Sequence, residues 1–142
     1  MSQDDNITAR YPLGQNGPER IHSRTGVALQ DITLEAVRAG RVEPGDLTIR
    51  ADTLQMQANI AAEAGYRQLA GNLRRAAELV NIPNERLLQI YEAIRPRRSS
   101  YGELISLSEE LASRYEAAEN ARFIRQAAEA YRANGLLRPE DK

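Results

Sequence analysis

Apolar positions in the middle of the chain recur at helical spacing. Leu54, Ala58, Ala61, Gly65, Leu69, Leu73, Ala76 and Val80 are separated by 4, 3, 4, 4, 4, 3 and 4 residues, which places them on one face of an α-helix. Asp52 is the expected N-cap and Pro83 the expected stop. Unbroken, such a helix is roughly 43 Å long at about 1.5 Å per residue, more than a domain of this size needs. Gly65 is the position at which it divides if it is two helices.

A second apolar pattern follows. "NERLLQIYEAI" (84–94) predicts a short helix with Leu87, Tyr91 and Ile94 on one face and Leu88 beside them. Ser100 and Glu103 then have capping-box spacing. From there Leu104, Leu107, Leu111, Tyr115, Ala118, Ala121, Ile124, Ala128 and Tyr131 mark a stripe with no Gly or Pro between 103 and 134. It reads equally as one helix or as two with a bend near Glu116. Gly135 followed by Leu136 predicts a Schellman-type end.

The first thirty residues lack both periodicities. "YPLGQNGPERIHSRTGVAL" (11–29) carries turn residues throughout and predicts an ordered or semi-ordered arm. "DITLEAVRAG" (31–40) then reads as a short helix capped by Thr33 or Asp31, with Leu34 and Val37 as its apolar pair and Gly40 as its left-handed stop. Pro44-Gly45 makes a turn, followed by a short extended piece from Leu47 to Ile49. The expected class is mainly α: an irregular N-terminal arm (1–30), then a helical domain (31–142) built as a bundle of amphipathic helices with one or two long ones.

Composition narrows what such a bundle can do. The 142 residues are the length of one domain and include no Cys and a single His. That removes disulfides, Cys-containing zinc sites and any His cluster. No apolar run approaches the roughly 20 residues of a membrane span, and "MSQDDNITAR" lacks the pattern of a signal peptide. A net charge of −1 and a pI of about 5.9 argue against a nucleic-acid partner. Eighteen of the nineteen basic residues are Arg, so a single Arg is weak evidence of a chosen ligand.

The expected core is thin. Leu, Ile, Val and Phe number 30 of 142, while 21 alanines supply much of the remaining apolar content. Alanine favours helix but buries little, since each CH₂ removed from water is worth about 0.8 kcal/mol. Such a chain forms helices readily and depends on a partner for stability.

Catalytic patterns are missing. His22 has no Ser, Cys or carboxylate set that would make a triad, Glu109-Glu110 and Glu140-Asp141 are adjacent and not opposed, and "GQNG" lacks the strand and helix of a phosphate loop. One stretch invites a functional reading, "IRPRRSS" (94–100). Pro96 cannot continue a helix, so a corner with arginines near the negative end of the preceding helix dipole is the simpler account. From the residues alone this is a helical interaction protein without its own active site.

The chain also resembles the small (gamma) subunit of the adenosylcobalamin-dependent diol and glycerol dehydratases. The resemblance runs through "YPL" (11–13), "DITLEAV" (31–37), "TLQMQANIA" (53–61), "LAGNLRRAAEL" (69–79), "IPNERLLQIYEAIRPRRSS" (82–100), "EELASRY" (109–115) and "AEAYRANGLLR" (128–138). It implies a dimer of large–medium–small heterotrimers in which the large subunit is a (β/α)₈ barrel and cobalamin lies between the large and medium subunits. It implies radical conversion of 1,2-propanediol to propanal and of glycerol to 3-hydroxypropanal, with no catalytic, cofactor or metal residue in the small subunit. Arg95, Pro96, Arg98 and Ser99 match the family's corner, with Arg97 in its open slot, and Arg95, Arg98 and Tyr91 become candidate subunit contacts.

Some propanediol-utilising members carry a longer amphipathic N-terminal extension linked to encapsulation in a microcompartment. Only about ten polar residues precede "YPL" here, so the expectation is cytoplasmic residence, with neither membrane nor nucleic acid as partner. The competing expectation is a free-standing helical adaptor.

Overall fold

A computed structural model describes residues 11–139. Six α-helices run in order: α1 (Leu34–Arg38), α2 (Ala51–Glu63), α3 (Arg67–Leu79), α4 (Asn84–Ala93), α5 (Tyr101–Arg114) and α6 (Ala118–Ala133). Among the described residues there is no strand, only the isolated antiparallel bridges His22–Ala28 and Ser23–Ile49. The mainly α class is the observed one. The chain divides into two compact units, Met1–Val80 and Asn81–Lys142.

In the first unit the irregular segment is held by its own polar groups. The Ser23 amide donates to the Val27 carbonyl at 2.8 Å, and the Val27 amide returns a bond to Ser23 Oγ at 3.1 Å. Arg24 donates to Thr48 at 2.8 Å, and the Thr25 hydroxyl donates to the Asp46 carboxylate, which also accepts the Glu43 amide. The predicted extended piece is shorter than expected: Leu47 closes a 3₁₀ turn begun at Pro44, and Ile49 is the residue that pairs with Ser23.

Thr33 caps α1 through the Ala36 amide, and Gly40 ends it at φ 68. Gly65 does divide the long central stripe. It sits at φ 86, with Tyr66 donating to Ala61 at 2.8 Å and Gly65 to Ala62 at 3.0 Å, the bond pair of a Schellman end. α2 and α3 therefore fold onto one another. Asp52 is not the N-cap. Arg50 holds that position, while Asp52 lies in the first turn, where its carboxylate accepts the Thr53 amide and pairs with Arg50 at 2.7 Å. A first-turn carboxylate meets free N–H groups and the positive end of the dipole just as a cap does.

The second unit has the fuller core. Ile82, Ile90, Leu104, Leu107, Leu111 and Ile124 are buried there, with Ala117, Ala121 and Ala128 letting α5 and α6 approach closely. In the first unit the buried apolar residues are Ala36, Val42, Ala58, Ile60, Ala61, Ala70 and Ala77. The α5–α6 stripe is two helices, bent where sequence pointed: Glu116 has φ 54, and Ala117 donates back to Leu111 at 2.9 Å. Ser108, fully buried, donates to the Ala121 carbonyl at 2.8 Å and so replaces water at the centre of the pair.

Leu111→Ala is expected to lower the unfolding free energy by about 2–5 kcal/mol, because a fully buried leucine leaves a cavity. Ser108→Ala should cost only about 1 kcal/mol, the net value of one hydrogen bond. Urea midpoints at unchanged slope measure both. A Leu111→Ala loss no larger than that of Ser108→Ala would place the core elsewhere.

Candidate functional site

The corner between α4 and α5 concentrates the polar chemistry of the second unit. A helix end leaves its last carbonyls without intrahelical donors. Here the two at the end of α4, those of Ala93 and Ile94, are met by side chains, and further bonds hold the turn that follows. Ser99 Oγ donates to the Ala93 carbonyl at 2.8 Å and Tyr131 Oη to the Ile94 carbonyl at 2.7 Å. The Arg97 amide donates to Leu136 at 2.8 Å, the Arg138 amide to Ser99 at 2.9 Å, and the Arg138 guanidinium to the Arg98 carbonyl at 3.2 Å.

The turn itself has a defined type. Arg98 donates to the Arg95 carbonyl at 3.2 Å, Pro96 stands at its second position, and Arg97 follows at φ 66. Proline then positive φ is the signature of a type II turn, whose third position favours glycine. Arg97 therefore occupies a glycine slot. Its side chain is exposed, but its backbone is not free to take any residue, so the open slot of the family's corner is restricted.

α5 starts with the expected capping box. The Ser100 amide donates to Glu103 at 2.7 Å, and the Glu103 amide donates to Ser100 Oγ at 3.2 Å. The Ser100 N–H, and after it the Arg138 guanidinium at 2.9 Å, hold the Glu103 carboxyl below the usual glutamate range.

Beside this corner lies an open hollow of about 840 Å³ whose walls include Arg86, Glu92, Arg98, Glu103, Glu110 and Arg138. Arg86 meets Glu110 through two nitrogens, Arg138 meets Glu103, and Arg98 Nε meets Glu92 at 3.0 Å. Each guanidinium on the hollow is matched by a carboxylate, so it is not a built anion grip.

The candidate contacts fall on one side of this corner. Arg95 reaches the same Glu92 at 3.0 Å, on the carboxylate oxygen that Arg98 does not use. Tyr91 departs from its expected inward face. Ile90 is the buried residue of α4, flanked by half-buried Leu87 and Ile94, while Tyr91 is 56% and Leu88 71% exposed. Tyr11 and Tyr66 are exposed as well, whereas Tyr101, Tyr115 and Tyr131 are half-buried.

His22 is half-buried in the first unit. It lines a small apolar hollow of about 300 Å³ with Leu13, Ile21, Leu29, Ile32 and Leu47 among its neighbours. Among the described residues no group of His, Cys, Asp and Glu could hold a metal ion, and no helix is long and apolar enough to cross a membrane.

Sequence reasoning missed Arg97's backbone, Leu88 and Arg138. The first was readable, since proline at the second turn position followed by a close pairs with positive φ. Leu88 and Arg138 were not, because exposure and a contact across 40 residues leave no local signal.

Comparison with known proteins follows the same positions. Residues 7–138 match the family model described as dehydratase small subunit. The propanediol dehydratase small subunit of Citrobacter freundii is 42% identical over 131 residues, covering 92% of this chain and 76% of the relative. That of Salmonella typhimurium strain LT2 is equally similar, 42% over 131 residues with the same coverage.

Arg97→Gly is expected to leave the isolated chain as stable as before or up to about 1 kcal/mol more stable, because glycine takes positive φ without steric cost. Arg97→Val should lose about 1–2 kcal/mol for the opposite reason. Chemical denaturation orders the two; equal midpoints would refute the strained slot. Glu103 adds a pH dependence with a fixed sign. Its folded value is depressed, so its contribution is present above the ordinary glutamate range and is lost as pH falls through the lowered value. The melting difference between wild type and Glu103→Gln should be open at pH 7 and closed in acid.

Proposed function

The chain belongs to the dehydratase small-subunit family, and we propose that it is the small subunit of a diol dehydratase. The reaction assigned to the assembled enzyme is conversion of 1,2-propanediol to propanal, and of glycerol to 3-hydroxypropanal, with adenosylcobalamin as cofactor. The observation that carries this reading is 42% identity over 92% of the chain to two propanediol dehydratase small subunits. The chain's own part is to assemble with the large and medium subunits and to stabilise the large one, in a dimer of heterotrimers located in the cytoplasm.

The cofactor is assigned to the other subunits. The described residues do not fit a corrinoid: the one imidazole, His22, sits half-buried in a hollow of about 300 Å³. The apolar groove at α2–α3, about 610 Å³ and lined by Tyr11, Ile60, Ala61, Tyr66, Leu69 and Leu73 among others, offers no base to bind a metal. No step of the reaction is placed on this chain. What supports an assembly role is the distribution of apolar surface. Leu88, Tyr91, Tyr66, Leu69, Leu34 and Leu47 are all at least half exposed, while the interior of the first unit is largely alanine. Surface of that kind is stabilised by burial against another chain.

Co-expression with a large and a medium dehydratase subunit tests the reading. The three chains should co-purify, and turnover of 1,2-propanediol with added adenosylcobalamin should fall when this chain is omitted. Purification of this chain alone from that mixture, as a stable monomer, would favour a free-standing adaptor. In the assembled enzyme His22→Ala should leave kcat within about 3-fold of wild type, since no described residue hydrogen-bonds its imidazole to orient it for proton transfer. A 100-fold loss with assembly intact would show that this chain carries a catalytic residue.

A further inference from the structure

α4 presents two apolar stripes. Ile90, with Leu87 and Ile94, faces the core of the second unit. Leu88, Tyr91 and Arg95 make a second stripe, roughly 100° further round the helix at 3.6 residues per turn. Folding makes no use of this second stripe. Leu88 and Tyr91 are 71% and 56% exposed, and the Tyr91 hydroxyl has no hydrogen-bond partner among the described residues.

The stripe runs directly into surplus positive charge. Arg95 and Arg98 share the single carboxylate of Glu92, and the exposed Arg97 side chain has no ion-pair partner among the described residues. Three guanidiniums against one carboxylate leave this end of α4 with a local charge of about +2, on a chain whose net charge is −1. Arg97 also keeps a backbone conformation in which glycine would be more stable. A strained residue held by its surroundings is a reason to look for a function of its side chain. Those surroundings are fixed by the Arg97–Leu136, Ser99–Arg138 and Ile94–Tyr131 bonds, so the arginines are presented from a rigid corner.

We propose that Leu88 and Tyr91, with Arg95, Arg97 and Arg98, form one docking surface, and that its occupant is a face of the large dehydratase subunit bearing carboxylates beside an apolar pocket. This rests on the small-subunit reading. Tyr and Arg around an apolar anchor are the residue types that dominate interface energetics, and the charge surplus selects an acidic partner face. Leu88 and Arg97 extend the candidate contacts Tyr91, Arg95 and Arg98 into a continuous patch.

The experiment uses the assembled three-subunit enzyme, with dissociation followed by size and by activity on dilution. Leu88→Ser/Tyr91→Ser should raise the dissociation constant of this chain about 10- to 100-fold, as loss of an interface anchor does. Arg95→Glu/Arg97→Glu/Arg98→Glu should do at least as much and reduce the salt dependence seen in wild type. Arg97→Gly separates docking from structure. It should weaken the complex while leaving the isolated chain's melt unchanged or higher, and Arg97→Lys should restore most of the affinity. Leu34→Ser/Val37→Ser, an exposed apolar pair on α1, should weaken the complex far less than the α4 pair does. If wild type assembles and the α4 and arginine variants assemble equally tightly, or the α1 pair alone weakens the complex, this surface is not the interface. If wild type itself never joins the large and medium subunits, the small-subunit reading has failed instead. A salt-sensitive gain of nucleic-acid binding that the arginine reversals abolish would assign the patch to another partner.

Discussion

The second unit depends on how the last carbonyls of α4 are satisfied. Pro96 forbids another turn of helix, so those oxygens need donors from outside it. Ser99 is near in sequence, but Tyr131 comes from 37 residues downstream of Ile94, and Arg138, 40 residues past Arg98, holds the carbonyl of the turn that follows. The end of α6 must therefore be in place for the corner to exist. Gly135 makes this possible: its positive φ ends α6, returns Leu136 to the Tyr131 carbonyl, and leaves the Leu136 carbonyl to accept the Arg97 amide. One glycine, one tyrosine hydroxyl and one arginine thus tie both helix termini to the same turn.

The two units differ in what holds them. In Asn81–Lys142 leucine and isoleucine are buried at intervals along α5 and α6, and Ser108, fully buried between them, is hydrogen-bonded. Among the described residues up to Val80, only Val42 and Ile60 of the buried apolar ones are larger than alanine. Helix hairpins with small residues between them pack closely but remove little apolar area from water, at about 25 cal/mol per Å². Polar ties such as Thr25 and Glu43 to Asp46 order the irregular segment without adding a core. Binding to a partner shifts such a unit toward its folded state by mass action. A subunit of an obligate assembly can keep this composition; a free-standing domain of the same length has less latitude.

Helical periodicity made most of this architecture legible. The caps at Thr33 and Ser100 and the left-handed stops at Gly40 and Gly135 are local features, and local chemistry decides them, whereas the bend near Glu116 is one of two readings the stripe leaves open. The resemblance to a dehydratase small subunit stands with the family match over residues 7–138. What sequence left open or misjudged was set by tertiary choice. Whether Gly65 divides a helix depends on whether α2 and α3 gain more by folding back than by continuing. Tyr91 and Ile90 are adjacent and both apolar enough to bury, so a rotation of one residue's worth of helix decides which goes inside. Asp52 satisfies the same helix end from the first turn as it would from the cap, and the pattern cannot distinguish the two.

For the arginines of the corner, a structural role and the proposed contact role need not compete. Arg95 and Arg98 each place one nitrogen on a different oxygen of Glu92, which holds both side chains alongside the turn but leaves most of their donors facing water. A half-exposed ion pair of this kind adds little to stability, because solvent screens it and ordering long side chains costs entropy. Its effect is on position. An arginine whose orientation is already fixed loses less freedom when a second carboxylate arrives, so the internal pair lowers the entropic cost of an external one. Arg97 has the complementary arrangement, with its backbone fixed by the Leu136 carbonyl and its side chain uncommitted. A corner needed only to join two helices would be better served by glycine at that position.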